Sequence, residues 1–423
     1  MSSNGPIRRK PPVLEPGPSA KTRSQPETTR HKYARPEKDY GLFLQIIRSL
    51  LILAWFNCCC FSIVVTQAVG LPLYLINKRW FYSYMAMTKR SFGITITALT
   101  EWCSPTPVRI SGDSSVQGQF SLLKDGRVAT KFPERLVLIA NHQVYTDWLY
   151  LWWVTYTNDM HGYIYIILKE SLKYIPFIGQ GMMLYGFIFM ARKWIEDKPR
   201  LQHRLQKLKT KHGVSPEGLP LFDPMWLLIF PEGTNLSRNT KDRSDAYCQK
   251  QGIAPSKHIL LPRSTGLFFC LQQLRGTVDY VYDCTIGYEG QPKDSYAEAH
   301  FTIRSTYLRG RPPKSVNFYW RRFSISDIPL TDQKEFEDWI YKRWEEKDRL
   351  LDQFIETGRF PPFEDMSASN TATKEASEQT NNIPNNGYIE SEIKLGHWAE
   401  AAKIFTILIA LGLVLRFVPR VWS

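Results

Sequence analysis

Cysteine is sparse in this 423-residue chain and poorly placed for a scaffold. There are seven, an odd number, with no C-x-x-C pair and no Cys/His spacing suited to zinc. That argues against a secreted disulfide framework and against a metal site. Three of them, Cys58, Cys59 and Cys60, stand together inside an apolar segment, as small hydrophobic filler or, alternatively, as palmitoylation sites. Long apolar runs are also few, and a mean hydropathy of −0.30 excludes a polytopic membrane protein. There is no internal repeat. No zinc finger, RNP motif or helix-turn-helix cue is present, so nucleic acid has no module to read it. No G-x-S-x-G elbow surrounds any serine, Ser264 included, which disfavours a covalent acyl-enzyme. Acidic residues are in deficit, 40 against 54 basic, giving +14. That excess predicts an anionic partner: nucleic acid, an acidic membrane surface or a phosphorylated substrate.

What is present is ordinary in amount and informative in placement. Hydrophobic residues at 43% and charged residues at 22% are globular proportions and rule out wholesale disorder. An aromatic content of 13%, with 13 Trp, tilts the partner toward a lipid–water interface. Residues 1–40 hold seven prolines, nine basic and four acidic residues and almost no large apolar ones, which predicts a disordered basic arm. Residues 361–394 read as a polar linker, and residues 395–423 as an amphipathic or transmembrane tail. The body between them, residues 41–360, carries +11 of the excess.

Membrane-associated helices are expected over residues 41–100. No residue between Ser49 and Asn77 is charged, and Leu50–Val69 offers twenty mostly apolar positions, the length a helix needs to cross hydrocarbon. The run starts too far from the N-terminus for an ordinary cleaved signal peptide. Asn57, Ser62, Thr66 and Gln67 weaken it, so a buried core helix and a re-entrant hairpin remain as alternatives. Trp80–Leu99 carries Lys89 and Arg90 in its middle and suits an interfacial helix better than a span. Arg48 on one flank and Lys78 and Arg79 on the other leave the orientation undetermined. Ile404–Leu415 is a shorter apolar run between Lys403 and Arg416, readable as a tail anchor, an interfacial helix or a packed terminal helix.

Residues 101–360 read as one catalytic domain. Leu136–Ala140, Tyr163–Leu168, Phe187–Met190 and Trp226–Phe230 are short apolar runs of the buried-strand type. Arg200–Lys211 reads as a basic helix. Asp332–Phe354 is amphipathic, with Phe336, Trp339, Ile340, Trp344, Leu351 and Phe354 at helical spacing. Strands separated by helices predict an α/β fold, a mixed sheet flanked by helices.

The chemistry concentrates where these strands end. After Leu136–Ala140 come Asn141, His142 and, five positions on, Asp147. A histidine suits proton abstraction near neutral pH, and a carboxylate on its second ring nitrogen fixes the tautomer and stabilises the imidazolium. On a regular helix His142 and Asp147 would lie about 140° apart. They meet only if the chain turns between them, as at a strand-to-helix junction. H-x4-D occurs once among the eight histidines, and by itself is weak. The second block is Phe230–Thr234, FPEGT, where Gly233 lets backbone N–H groups approach an anion. Glu232 is out of place beside a phosphate unless it meets a cation or a hydroxyl. Lys169–Gly179 mixes basic residues with an apolar turn, and Gly186–Arg192 followed by Lys193 ends a strand in two cations that could hold a phosphate or stand as a solvated strand exit.

Taken in order, N-H-x4-D, G-x-x-F-M-x-R, F-P-E-G-T and Pro262 resemble the glycerolipid acyltransferases of the 1-acylglycerol-3-phosphate acyltransferase type. The likeness is greatest to the lysocardiolipin/lysophosphatidylinositol acyltransferase branch, where it extends to Leu261–Gly266, Tyr282–Tyr288 and Lys342–Leu351. The resemblance covers roughly residues 45–360. It implies a membrane-bound enzyme, of the endoplasmic reticulum with its site facing the cytosol. The reaction implied is transfer of a fatty acyl group from acyl-CoA, a co-substrate rather than a cofactor, to a lysophospholipid hydroxyl. His142 would be the general base and Asp147 its orienting partner, with Asn141 beside them. Gly186, Phe189, Arg192, Lys193, Glu232, Gly233 and Thr234 would bind the phosphate and glycerol of the acceptor. Pro262 would belong to the acyl or CoA side. Two departures leave the headgroup open. Asn235 stands where many members have arginine, so one cation is missing or replaced by Arg238 or Lys193. Leu261–Pro262–Arg263 is looser than the usual V-P-V. Phosphatidic acid synthesis, CoA-independent transacylation and non-catalytic docking on anionic lipid are the alternatives.

Overall fold

The computed structural model describes residues 41–176, 178–363 and 387–421. The arm expected over residues 1–40 and most of the expected linker, residues 364–386, lie outside the described residues. The described chain opens with α1 (Gly41–Gly70), turns at Pro72 into a short helix, Leu73–Ile76, and returns as α2 (Lys78–Cys103). The Asn77 side chain caps α2, accepting from the backbone N–H groups of Arg79 and Trp80. Among the described residues, Gly41–Ile76 and Trp398–Arg416 are the helical stretches long and apolar enough to cross a membrane. α2 is different. Its Lys89, read as the mark of an interfacial helix, is turned into the protein: Nζ donates to the carbonyl of Ile164 at 2.9 Å and lies 3.8 Å from the centre of the Tyr165 ring.

Eight strands build the main sheet: β1 (Pro107–Gly112), β2 (Arg135–Ala140), β3 (Ile164–Lys169), β4 (Ile188–Met190), β5 (Met225–Ile229), β6 (Tyr280–Glu289), β7 (Ser315–Ser324) and β8 (Ile389–Glu392). Their order is β8-β1-β7-β6-β2-β5-β3-β4. The central strand β2 runs parallel to β6 on one side and to β5 on the other, and β3 and β4 continue in parallel. β7 pairs antiparallel with β6 and parallel with β1, and β8 closes the edge antiparallel to β1. The sheet is therefore mixed, as expected. The four apolar runs singled out in the sequence are β2 to β5, each to within one residue. β8 was not expected: its residues read as the end of a polar linker, yet they form the edge of the sheet.

Both faces of the sheet are covered, which is why its inner strands read as unbroken apolar runs rather than alternating ones. The side chains still alternate. Leu136, Leu138 and Ala140 join one core with Ile63 of α1, Ile96 of α2 and Trp152 of α3 (Asp147–Thr157). Val137 and Ile139 join the other. There they meet Leu201 of α4 (Trp194–Leu208), Leu271 of α5 (Ser264–Leu274) and Trp344 of α6 (Gln333–Thr357).

One position on the apolar stripe of α6 is a lysine. Lys347 and Asp283 of β6 are both wholly buried, with Nζ 2.6 Å from Oδ1, and Arg321 of β7 reaches Oδ2 at 2.6 Å. Burial pushes the Asp283 carboxyl up, but Lys347 and Arg321 outweigh it and hold it below its usual range. Lys347 also donates to the carbonyl of Cys284 at 2.8 Å, so α6 is fastened to the strand that leads to the site. Removing Lys347 leaves Asp283 Oδ1 buried without its donor and only Arg321, on Oδ2, to offset the charge. Lys347→Met is expected to cost about 3–5 kcal/mol of stability, measured as a lowered melting temperature of the purified full chain; melting with the wild type would contradict the pairing.

Candidate active site

β2 delivers the chain to the site. Beyond Ala140, the buried Asn141 side chain donates to the carbonyl of Ile286 at 3.0 Å and accepts from its N–H at 2.8 Å, which pins the strand end to β6. His142 follows, and α3 begins at Asp147. The strand-to-helix turn unites what a helix would separate: His142 Nδ1 lies 2.8 Å from Asp147 Oδ2. That oxygen also accepts the Val144 N–H at 3.0 Å, and Oδ1 accepts the Tyr288 hydroxyl at 2.5 Å. A carboxylate engaged this way only accepts, so Nδ1 carries the imidazole proton and Nε2 keeps the lone pair. The ring stacks on Phe230 with centroids 4.3 Å apart, and the side chain stays 17% exposed. Burial, then the charge of Asp147, raise the Tyr288 hydroxyl well above its usual range, which keeps it a donor.

Tyr288 was not singled out as a functional residue in the sequence. It lies 141 positions from Asp147, and only the parallel pairing of β2 with β6 brings it there. The recurring segment Tyr282–Tyr288 was its one signal, and that signal carried no role.

Glu232 faces inward rather than toward a ligand. It is 3% exposed, and its carboxyl accepts from the backbone N–H of His142 at 3.2 Å and of Leu260 at 3.4 Å. Burial pushes it up to about 8, so it is mostly neutral at pH 7. The objection to an acid beside a phosphate is thereby reduced: the acid is turned inward, toward two backbone N–H groups, and shapes the turn. Gly233 takes φ +73°, and its carbonyl accepts from Arg192 Nη2 at 2.6 Å. Thr234 follows, half-buried. Pro262 is buried and held close by its neighbour, because the Arg263 N–H donates to the carbonyl of Pro231 at 2.8 Å.

The remaining candidates stand apart from this set. Gly186 (φ +76°) makes the turn into β4, where Phe189 is half-buried. Lys193 pairs with Glu196 at 3.1 Å and is largely exposed, so its charge serves the first turn of α4. Lys173, in the basic segment after β3, pairs with Glu170 at 2.6 Å. Arg238 opens the helix Arg238–Gln251 and is exposed. A cavity of about 610 Å³ opens at the far end of α3, among Tyr156, His161, Glu400 and Lys403, and no residue assigned to the chemistry lines it. Among the described residues, no three His, Cys, Asp or Glu side chains gather as a metal centre.

An oriented imidazole with a bare Nε2, beside a glycine turn flanked by guanidinium groups, is equipped to deprotonate a hydroxyl next to an anionic group. The chain belongs to the glycerolipid acyltransferase family. It matches the acyltransferase family model over residues 124–289 and the acyltransferase C-terminus model over residues 306–385. It is 38% identical over 327 residues to the 2-acyl-1-lysophosphatidylinositol acyltransferase of Saccharomyces cerevisiae, covering 71% of this chain and 82% of that one. It is 41% identical over 300 residues to an uncharacterized acyltransferase of Schizosaccharomyces pombe, covering 71% and 83%. To lysocardiolipin acyltransferase 1 of Gallus gallus it is 34% identical over 299 residues, 68% of each chain. The family resemblance is thus borne out, and the protein is an O-acyl transferase.

The hydrogen bonds around the dyad make two measurable claims. Tyr288→Phe removes one donor from Asp147, and a bond to a charged group is worth about 1.5–3 kcal/mol. Turnover of acyl transfer should fall by roughly tenfold to a hundredfold with little change in either KM. Unaltered turnover would deny Tyr288 a positioning role. For Glu232, a carboxyl raised in the folded state favours folding fully below its unfolded value of about 4.5. That contribution is lost progressively as pH rises through about 8. Melting curves across pH 5–8 should show this decline for the wild type and a flatter profile for Glu232→Gln; parallel profiles would place the titration elsewhere.

Proposed function

We propose that the protein is an acyl-CoA-dependent lysophospholipid acyltransferase working at a membrane. The observation that carries the reading is the 2.8 Å contact of His142 with Asp147, which leaves Nε2 to take the proton of the acceptor hydroxyl. The resulting alkoxide attacks the thioester carbonyl carbon of acyl-CoA, a new C–O bond forms, and the C–S bond breaks. The CoA thiolate leaves and takes back the proton from Nε2. Asp147 stabilises the imidazolium between these steps, and no residue of the chain becomes acylated.

The acceptor class is supported by the names of the relatives, and lysophosphatidylinositol, acceptor of the Saccharomyces cerevisiae protein, is the first to test. The bilayer is supported by the two long apolar helices and by a run of exposed large side chains along them. Leu42, Phe43, Leu50 and Leu51 stand out on α1, and Ile409, Leu413 and Leu415 near the C-terminus, and clustered exposed apolar side chains of this kind mark contact with a membrane or a partner. The reading includes the endoplasmic reticulum as its membrane and a site facing the cytosol, where acyl-CoA is available.

The test is an acyl-transfer assay on membranes holding the full chain, with labelled acyl-CoA and a panel of lysophospholipids that includes lysophosphatidic acid. Transfer should require acyl-CoA, and His142→Ala should reduce it about 10²–10⁴-fold. Transfer from a phospholipid donor without acyl-CoA would show a transacylase instead. An active His142→Ala protein, or a wild type that acylates no lysophospholipid, would refute the reading.

A further inference from the structure

The cavity of about 610 Å³ lies where both long apolar helices meet the α/β body. α1 lends it Thr66, and the C-terminal helix Thr406–Val421 lends it Thr406 and Ile407. The Ser62 hydroxyl of α1 donates to the carbonyl of Ile404 at 2.8 Å, which joins the two helices at this seam. The rest of the lining is of two kinds. Met87 and Ile94 of α2, Trp153 of α3 and Ile404 are apolar. Arg90, Arg127, Lys394 and Lys403 line the same space as Asp159, Glu392 and Glu400. We propose that this cavity binds the headgroup and glycerol of an intact zwitterionic phospholipid of the bilayer, with its phosphate toward the cations and its ammonium toward the carboxylates. The site is separate from that of the acceptor, and it does not depend on the reaction proposed above.

The charges decide the class of ligand. Covering these seven ionisable side chains with hydrocarbon would desolvate them without return. An anionic headgroup would meet three carboxylates, whereas a headgroup carrying both signs satisfies both sets. Part of the charge is already matched within the protein: Arg127 holds Asp125 at 2.6 Å, Arg90 lies 3.7 Å from Asp159, and Glu400 accepts the Tyr156 hydroxyl at 2.8 Å. Lys403 has no carboxylate partner among the described residues and stands exposed at the root of the C-terminal helix, so it is the cation left for a phosphate. His161 is 5% exposed and lines the cavity, yet its Nδ1 has no hydrogen-bond partner, Asp159 Oδ1 being 3.9 Å away. Burial, then the charge of Arg90, bring this imidazole down to about 4, so it is neutral at pH 7 with one nitrogen still to be satisfied. Size agrees as well. Pockets for small ligands run to roughly 300–1,000 Å³, and this one has room for a headgroup and glycerol but not for two acyl chains. The chains would follow the exposed Ile409 and Leu413 of the C-terminal helix. Trp153, Tyr156 and Thr157 of the lining end the helix that Asp147 begins, so an occupied cavity braces the element that orients His142.

The test is lipid binding by the purified full chain in detergent, followed by native mass spectrometry and by melting. Phosphatidylethanolamine should bind at one molecule per chain and raise the melting temperature, and phosphatidylinositol should bind about tenfold more weakly or less. Lys403→Glu changes an exposed position and should weaken phosphatidylethanolamine binding about tenfold. Ala129→Trp fills the cavity and should abolish that binding, while keeping the wild-type ratio of short to long acyl-CoA use. Preference for phosphatidylinositol, unaltered binding by Lys403→Glu, or displacement of phosphatidylethanolamine by lysophosphatidylinositol would each overturn the assignment. So would a shifted chain-length ratio, because the cavity would then hold the transferred acyl chain. If Ala129→Trp does not fold, Lys403→Glu decides alone. If the wild type transfers no acyl group, the binding results still stand, so this inference and the proposed function fail separately.

Discussion

One carboxylate organises this site. Asp147 opens a helix, is wholly buried, and accepts from three places at once: the His142 ring, the Val144 backbone and the Tyr288 hydroxyl. A buried carboxylate is costly unless donors surround it, and these donors come from the loop between β2 and α3 and from β6. Satisfying Asp147 therefore fixes the turn, the direction of the helix and the tautomer of the base together. The contact on which the proposed chemistry rests is the same contact that settles the local fold.

Glu232 plays the complementary part with the opposite electrostatics. Asp147 is ringed by donors that include a side-chain hydroxyl and an imidazole. Glu232 receives two backbone N–H groups and lies in a site dry enough to keep it mostly protonated at pH 7. Two acids thus flank His142, one oriented to meet the positive charge that develops on the ring and one neutral that holds the ring's own backbone. Environment divides their roles: the two carboxyl groups differ in the donors that surround them.

Much of this was legible in the sequence, for reasons that can be stated. β2 to β5 declare themselves because both faces of each are covered, so their apolar runs are unbroken. The H-x4-D pair was legible because a strand ending at Ala140 requires a turn just there. Lys347 hid in plain view: it occupies a position of the apolar stripe of α6 between Trp344 and Leu351, and a charge on a buried stripe calls for a buried partner. Asp283 could not be matched to it without the sheet order. Tyr288 was illegible for the same reason, since its place depends on a neighbour that only strand pairing supplies. Lys193 was ambiguous in the sequence, because a cation at a strand exit looks the same whether it faces a ligand or pairs within the first turn of the next helix, as Lys193 does with Glu196. β8 was missed because its sequence, Ile-Glu-Ser-Glu, alternates like an edge strand inside an otherwise polar tract.

β8 also orders events in time. It pairs with β1 across nearly three hundred residues of intervening chain, so β1 has a bare edge until Glu392 has emerged from the ribosome. By then the apolar N-terminal helix has long been available to lipid, and β1 follows it closely in the chain. An unpaired edge in a nascent chain invites association with its neighbours, and this protein covers its edge only after every other strand of the sheet has been made. A chain truncated ahead of residue 389 would keep both His142 and Asp147, yet emerge with an open sheet.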